Sequence, residues 1–505
     1  MKILFLDIDS LRPDRLGCYG YPRATSPVID GLAREGLRFE NVYVSDSPCL
    51  PSRTALWSGR HGFRTGVVDQ GGSRAEPFAE GRRRGFRDVF HETGWMTALR
   101  SCGHYTASIS SFAERHSAWH WHAGYNEVIN PGLFGMDRAD EVIPLAIEWL
   151  RQRGREKTDW FLHVNLWDVH TPYRAPASFG DPFAGMPGPA WLDAARLARL
   201  RVGFGPHSAR EPTGFDGRGD PRFPRQPGPI ETMTDARAWW DGYDTSLRYL
   251  DRWLGTLFAA LEEAGLGEET MIVLTADHGE NLGELNVWAD HQTADQFTSR
   301  VPLIVRFPKR NHVGRIDRAL HYQFDWAASL VELVGGRVPE TWDGASFAAS
   351  LCAGRESGRG FLVTSHGAWC CQRGVRFVKD GRDLLCLVTD HDGYKDLSPI
   401  MLFDLDADPH ELVDLARAEP ELVAHAKALL AGWREEMVRR SETGIDPFAE
   451  VLAEGGPFHC RGQLPSYLRR LMETGRAEGA RKLAARHPAE ARWDLAASEP
   501  DSARA

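Results

Sequence analysis

A chain of 505 residues is longer than one hydrophobic core usually organises, which excludes a short peptide module and predicts about two to four domains. Sixty Lys and Arg against seventy Asp and Glu give a formal net charge of −10, a balance that argues against a nucleic-acid partner. Hydrophobic residues at 42% and charged residues at 26% fit a soluble globular protein, and no apolar run approaches the roughly 18 residues of a membrane-spanning helix.

The first predicted strand covers residues 3–9. Its apolar run is too short for a secretory leader and is followed by acids, so the reading is a cytoplasmic protein. Residues 47–60 carry prolines in a turn and then a helix start, with Cys49 at the first helical positions. A second strand is expected at 160–166. Residues 175–229, rich in Pro, Gly and Arg, read as a long irregular insertion of the kind that shapes a binding mouth. Over 236–264, Trp240, Tyr243, Leu247, Leu250, Leu254 and Leu257 recur at three- and four-residue steps, the signature of a helix with one core-facing side. Strands follow at 271–276 and 301–307. Their continuous rather than alternating apolar runs suit a mainly parallel sheet buried on both faces and sandwiched by helices.

A composition break at 353–360 then separates a smaller region. Its strands at 361–365, 375–379, 383–389 and 401–405 are expected to form an antiparallel sheet, closed by a helix near 420–439. The fold class is therefore α/β, with expected units at 1–355, 356–445 and a helical tail at 446–505, the tail being a candidate surface for a homo-oligomer. Eight scattered cysteines form no C-x-x-C pair, so neither a disulfide framework nor a zinc cage is expected. The run Arg82-Arg83-Arg84 is read as solvated surface.

Three polar groups follow predicted strands, where open parallel sheets bind ligands: Asp9, His170, and the pair Asp277-His278. A fourth element is Ser47-Pro48-Cys49-Leu50-Pro51-Ser52-Arg53. Cys49 near a helix N-terminus meets free amides that favour an anion, and Arg53 stands one turn further on.

The C-x-P-S-R string, with Leu56 and Gly59-Arg60 behind it, resembles the type I sulfatases of the alkaline-phosphatase-like superfamily. The resemblance continues through Asp9 to Asp14 with Gly17 to Gly20, His170 to Tyr173, Tyr243 to Asp251, Thr275 to Glu280, Arg300 to Leu303, and Leu402 to Leu405 with Asp408, Pro409 and Glu411. It implies the superfamily's large sheet domain with a smaller C-terminal one, and a maturation enzyme that oxidises Cys49 to formylglycine, whose hydrate is the nucleophile. It further implies one divalent ion, Ca²⁺ first and Mg²⁺ or Mn²⁺ as alternatives, held by Asp9, Asp277, His278 and residue 49. Arg53 would orient the formylglycine, and His170 and His291 would touch the sulfate or the leaving oxygen.

The chain departs from the family pattern at several positions. Ser10 follows Asp9 where the family often has a second acid, which leaves Asp7 as either a ligand or a buried partner. His278 stands where many sulfatases have Asn, as in the superfamily's phosphonate monoester hydrolases; phosphonate monoester or phosphodiester hydrolysis is the alternative activity. His291 takes the place of the usual lysine. The common Lys-x-His segment is absent; from its region His116 is selected, while His104, His120 and His122 stay unassigned. Trp119 and Trp121 are candidate rings for stacking on substrate. The expected substrate is a small-molecule or saccharide sulfate ester, aryl or sugar.

Overall fold

The computed structural model describes residues 1–79 and 88–492. Among the described residues fifteen strands lie in chain order: β1 Lys2–Ile8, β2 Leu37–Tyr43, β3 Asp46–Ser47, β4 Tyr105–Ile109, β5 Glu127–Ile129, β6 Trp160–Leu166, β7 Thr270–Thr275, β8 Asn281–Leu282, β9 Trp288–Asp290, β10 Arg300–Arg306, β11 Arg315–Tyr322, β12 Phe361–His366, β13 Cys371–Lys379, β14 Arg382–His391 and β15 Ile400–Asp404. Eight of them form one sheet in the order β11-β2-β10-β7-β1-β6-β4-β5. All its pairings are parallel except those of β10, which runs antiparallel to both β7 and β2. β10 is apolar on both faces like its neighbours, and such a run carries no information about strand direction.

The sheet is central because its middle strands are buried throughout. β6 and β7 are buried at every position, and β1 at every position after Lys2. The helix Met233–Glu263 packs beside them. It starts at a reciprocal cap in which Thr232 and Asp235 satisfy each other's amides, and it buries all six residues of the apolar stripe. Tyr243 on this helix donates its hydroxyl to the Ser10 carbonyl (2.8 Å) and accepts the Arg12 amide (3.0 Å), fixing the loop that follows β1. Asp251 accepts the amides of Val28 and Ile29 at the start of the helix Pro27–Arg34. The recurrent polar residues at 243–251 therefore brace the loop beside the site.

The smaller sheet runs β15-β14-β13-β12-β3, with the helix Pro420–Arg440 burying Leu422, Leu430, Trp433 and Met437 against it. Its last member, β3, precedes Cys49 directly and pairs in parallel with β12, so the second sheet is stitched to the loop that carries Cys49. The described tail forms helices Pro447–Ala453, Leu464–Glu473 and Ala477–Arg486. Its apolar residues Leu464, Tyr467, Leu471 and Leu483 are buried in a cluster with Phe204 and Tyr394 of the same chain. Leu452, Phe458 and Met472 of the same tail remain exposed. Among the described residues no helix is long and apolar enough to cross a membrane. Arg82-Arg83-Arg84 lie outside the described residues.

Candidate active site

Asp9 and Asp277 leave the carboxyl ends of adjacent strands β1 and β7, the edge where a parallel sheet presents its loops. The helix Cys49–Ser58 is buried along its whole length and abuts the same edge, where the Ser52 hydroxyl donates to the Asp277 carbonyl. Cys49 and Arg53, four residues apart, share one face of that helix. Two glycines make the approach close enough. A Cβ on Gly279 would sit 2.0 Å from the Phe297 carbonyl oxygen. Gly59 ends the helix in the left-handed region (φ 67°), where a Cβ would meet the Trp342 ring at 2.1 Å.

The result is a buried cup. Ligand atoms of Asp9, Cys49, Asp277 and His278 all lie within 4.8 Å of one another. The four residues assigned to the metal from the sequence are therefore brought together. His278 Nδ1 faces the Gly279 carbonyl at 2.8 Å and can only donate there, which leaves the Nε2 lone pair pointing into the cup. That nitrogen is 3.1 Å from Cys49 Sγ, 3.3 Å from Asp277 Oδ2 and 3.8 Å from Asp9 Oδ1. A lone pair facing two carboxylates is repulsive unless a cation lies between them. The donor set of two carboxylates and a neutral imidazole fits a divalent ion.

Arg53 holds the acids in place. Its Nε donates to Asp7 (2.8 Å) and its Nη1 to both Asp9 (3.0 Å) and Asp277 (2.5 Å), while Nη2 has no partner. Asp7 also meets His163 Nε2 at 3.3 Å, so it serves Arg53 and His163 and is not one of the four converging residues. One guanidinium facing three carboxylates leaves the cup net negative, a second reason that a cation belongs there. The acids respond unequally. Burial, then Asp9 and Asp7, pushes Asp277 well above the usual carboxylate range, whereas at Asp9 the imidazole of His170 and then Arg53 outweigh burial and hold the carboxyl well below it. Burial, then Asp9 and Asp277, raises the Cys49 thiol well above its ordinary value.

The three remaining predicted histidines line the cavity that opens on Cys49, of about 480 Å³. The His291 ring lies 4.0 Å from that of His278 and its Nδ1 has no partner. His170 Nε2 is 4.0 Å from Asp9 Oδ1. His116 lines the wall with its Nε2 unpartnered. His104 instead bonds the Met1 carbonyl and His120 the Thr54 hydroxyl, both away from the cavity.

The stacking rings expected from sequence are corrected by the structure. Trp121 is buried among Trp57, Phe112, Tyr125 and His163, and Trp119 is exposed beside His122; neither lines the cavity. Its rings are Phe134 and Trp369, joined on the wall by Gln70, Arg115, Thr171, Asp290 and His459; of these only Thr171, inside the His170 to Tyr173 match, figures in the sequence reading. Among the described residues Arg115 meets no carboxylate within ion-pair distance; its Nη1 donates to the Phe134 carbonyl (3.1 Å), and its guanidinium lies over the Trp167 ring. The only signal in sequence was its position beside His116. A larger cavity of about 740 Å³, between Arg12–Arg23 and Trp191, contains none of the converging residues.

A family model described as Sulfatase matches residues 2–336. The multifunctional alkaline phosphatase superfamily protein PehA of Trinickia caryophylli is 24% identical over 456 residues, covering 78% of this chain and 86% of that protein. Iduronate 2-sulfatase of Homo sapiens is 28% identical over 346 residues, covering 61% of this chain and 60% of the human protein. Among solved structures, a protein in complex with its substrate D-glucosamine-2-N,6-O-disulfate superposes with a TM-score of 0.67 at 19% identity, over 86% of this chain and 98% of that one.

Proposed function

The chain belongs to the sulfatase family and is a sulfate-ester hydrolase, and on that premise we propose that it works through a formylglycine made from Cys49 beside one divalent ion. The observation that carries this reading is the cup itself. Residues from the ends of two strands and the start of one helix, 9, 49, 277 and 278, meet around a space that is net negative and faced by a nitrogen lone pair.

Asp9, Asp277, His278 and residue 49 would hold the ion, which when bound neutralises the nonbridging oxygens of the ester. An unmodified Cys49 is a weak nucleophile here, because with no cation in the cup burial and two carboxylates keep it a protonated thiol. Oxidised by a maturation enzyme to the aldehyde, residue 49 offers the hydroxyl of its hydrate instead. Asp277, which stands beside residue 49 in the cup, accepts the proton of that hydroxyl. Arg53 keeps the three carboxylates in register. Arg115, the cation on the wall with no carboxylate partner among the described residues, faces the charge of the ester, and His170, His291 and His116 border the place where the leaving oxygen departs.

The test is turnover of an aryl sulfate by the purified enzyme and by Cys49→Ala. The expected loss is on the order of 10⁶-fold in kcat. Unchanged turnover in Cys49→Ala would overturn the reading. A kcat/KM for a phenyl phosphonate ester above that for the matched sulfate would favour the alternative activity to which His278 points.

A further inference from the structure

The cavity over Cys49 has a neighbour. A second cavity, of about 580 Å³, opens between the insertion of residues 175–229 and the helix Leu464–Glu473 of the tail, and His459 lines both. The His459 ring is partly exposed, so the wall that the two cavities share reaches solvent. Rings of the two cavities also meet, Trp369 of the first lying 6.3 Å from Phe215 of the second. Each volume falls in the range of roughly 300–1,000 Å³ that a small-ligand site occupies, while cleavage of the ester itself uses only the first.

Both walls of the second cavity are fixed. Glu211 of the insertion, fully buried, accepts Arg470 Nε (2.9 Å) and Arg476 Nη1 (2.9 Å) from the tail, and Arg210 Nη1 donates to the Thr474 carbonyl (3.0 Å). Toward Cys49 the insertion is held by His207, whose Nε2 lies 2.8 Å from one oxygen of Asp290 while the other accepts the His291 amide (2.7 Å). The insertion therefore runs from the histidine wall of the first cavity to the tail.

What this cleft offers a ligand is polar. Thr213, Asp216, Arg218, Gln463, Ser466 and Arg470 line it. Among the described residues the Gln463 side-chain amide has no hydrogen-bond partner, and the Ser466 hydroxyl donates to the Gln463 carbonyl (2.8 Å) but accepts no bond itself. Asp216 faces two cations loosely, Arg218 Nε at 3.4 Å and Arg470 Nη1 at 4.0 Å, and the Asp216 and Arg218 side chains are mostly exposed. An amide, a hydroxyl and a loose ion group both donate and accept, which suits a unit bearing several hydroxyls. A hydrocarbon in their midst would strip them of water and return no bond.

We propose that this cleft holds the next unit of an extended, hydroxyl-bearing substrate, so that the enzyme acts on a sulfate ester at the end of an oligosaccharide and the insertion and tail together form its second subsite. This rests on the sulfatase reading above. No covalent step is added to it.

Chain length is the variable that tests it. The full-length enzyme is expected to hydrolyse N,N′,N″-triacetylchitotriose sulfated at O6 of its nonreducing end with about tenfold higher kcat/KM than N-acetylglucosamine 6-sulfate, chiefly through KM. Ser466→Trp, which fills the cleft from an exposed position, should bring the two substrates within about twofold, and Gln463→Ala should remove part of the difference. The ratio is taken on one enzyme, so a change in the catalytic step common to both substrates cancels. Equal kcat/KM for the two in the unaltered enzyme, or a preference that survives Ser466→Trp, would overturn the proposal. So would an enzyme that turns over 4-nitrophenyl sulfate and neither sugar. Should no sulfate ester be turned over at all, the sulfatase reading fails instead. Calorimetry of the sulfated chitotriose on Cys49→Ala, with and without Ser466→Trp, then decides the cleft: binding weakened about tenfold by the tryptophan supports it, and equal binding overturns it.

Discussion

The floor and the wall of one cavity are built in opposite ways. Asp9, Cys49, Arg53, Asp277 and His278 are each at most 1% exposed, emerge directly from strand ends or a buried helix, and are locked by charge-assisted bonds to one another. Gln70, Arg115, Phe134, Trp369 and His459 are partly or fully exposed and come from loops and short turns of five separate stretches of chain. The contrast teaches that one cavity can join two kinds of surface: dense buried electrostatics suited to holding charge at the floor, and rings with an arginine at a solvated rim suited to meeting a ligand.

That division is open to breaking at several points. The largest effect is expected at the floor: Asp9→Asn should lower kcat/KM on the order of 10⁴-fold at saturating metal, measured by initial rates with an aryl sulfate. A loss of less than tenfold would mean that Asp9 is not part of the working cup. Arg53→Met leaves three buried carboxylates facing one another and should cost about 3–5 kcal/mol, read by urea denaturation. Addition of Ca²⁺ or Mn²⁺ should return part of that stability, because a cation offsets the same charges. On the wall, Arg115→Gln should lower kcat/KM about 10²-fold, with the thermal midpoint unchanged since no carboxylate depends on it.

The smallest effect belongs to the tail. Burial disfavours the charged His487 ring, but hydrogen bonds to Asp392 and Glu490 outweigh it and raise the group from 6.5 to about 9. A raised folded-state value means that this clamp contributes fully below 6.5 and fades as pH climbs through about 9. Hydrogen exchange in Leu464–Glu473 and Ala477–Arg486 should therefore quicken over that window relative to β1 and β7 once corrected for intrinsic rates. Equal protection at pH 6 and pH 10 would remove the clamp.

The same contrast explains what was legible in the sequence. Asp9, Cys49, Arg53, Asp277 and His278 stand within or beside short strings that carry the family resemblance, and the residues to which that resemblance points are the ones that the structure brings together. Trp369 sits in the turn between β12 and β13, and His459 in a single helical turn of the tail. Their meeting depends on β3 pairing with β12 and on the thiol of Cys460 reaching the Trp369 carbonyl, neither of which has a local signature. Trp119 and Trp121 drew attention instead because two indoles close in sequence look like a platform, while one of them is core. Strands with continuous apolar runs were placed within a residue or two, as at 160–166. β5, three residues with an exposed centre, and β2, whose burial alternates, gave no such run. The direction of β10 was unreadable because burial on both faces is the same whichever way a strand points.

Everything on the floor presupposes that residue 49 is no longer a thiol in the working enzyme. Mass spectrometry of the peptide spanning 47–53, from protein purified out of its native host and shown to turn over a sulfate ester, is the most direct test. The account predicts an aldehyde at residue 49, captured by a hydrazide probe; a fully intact thiol in that active preparation would contradict it.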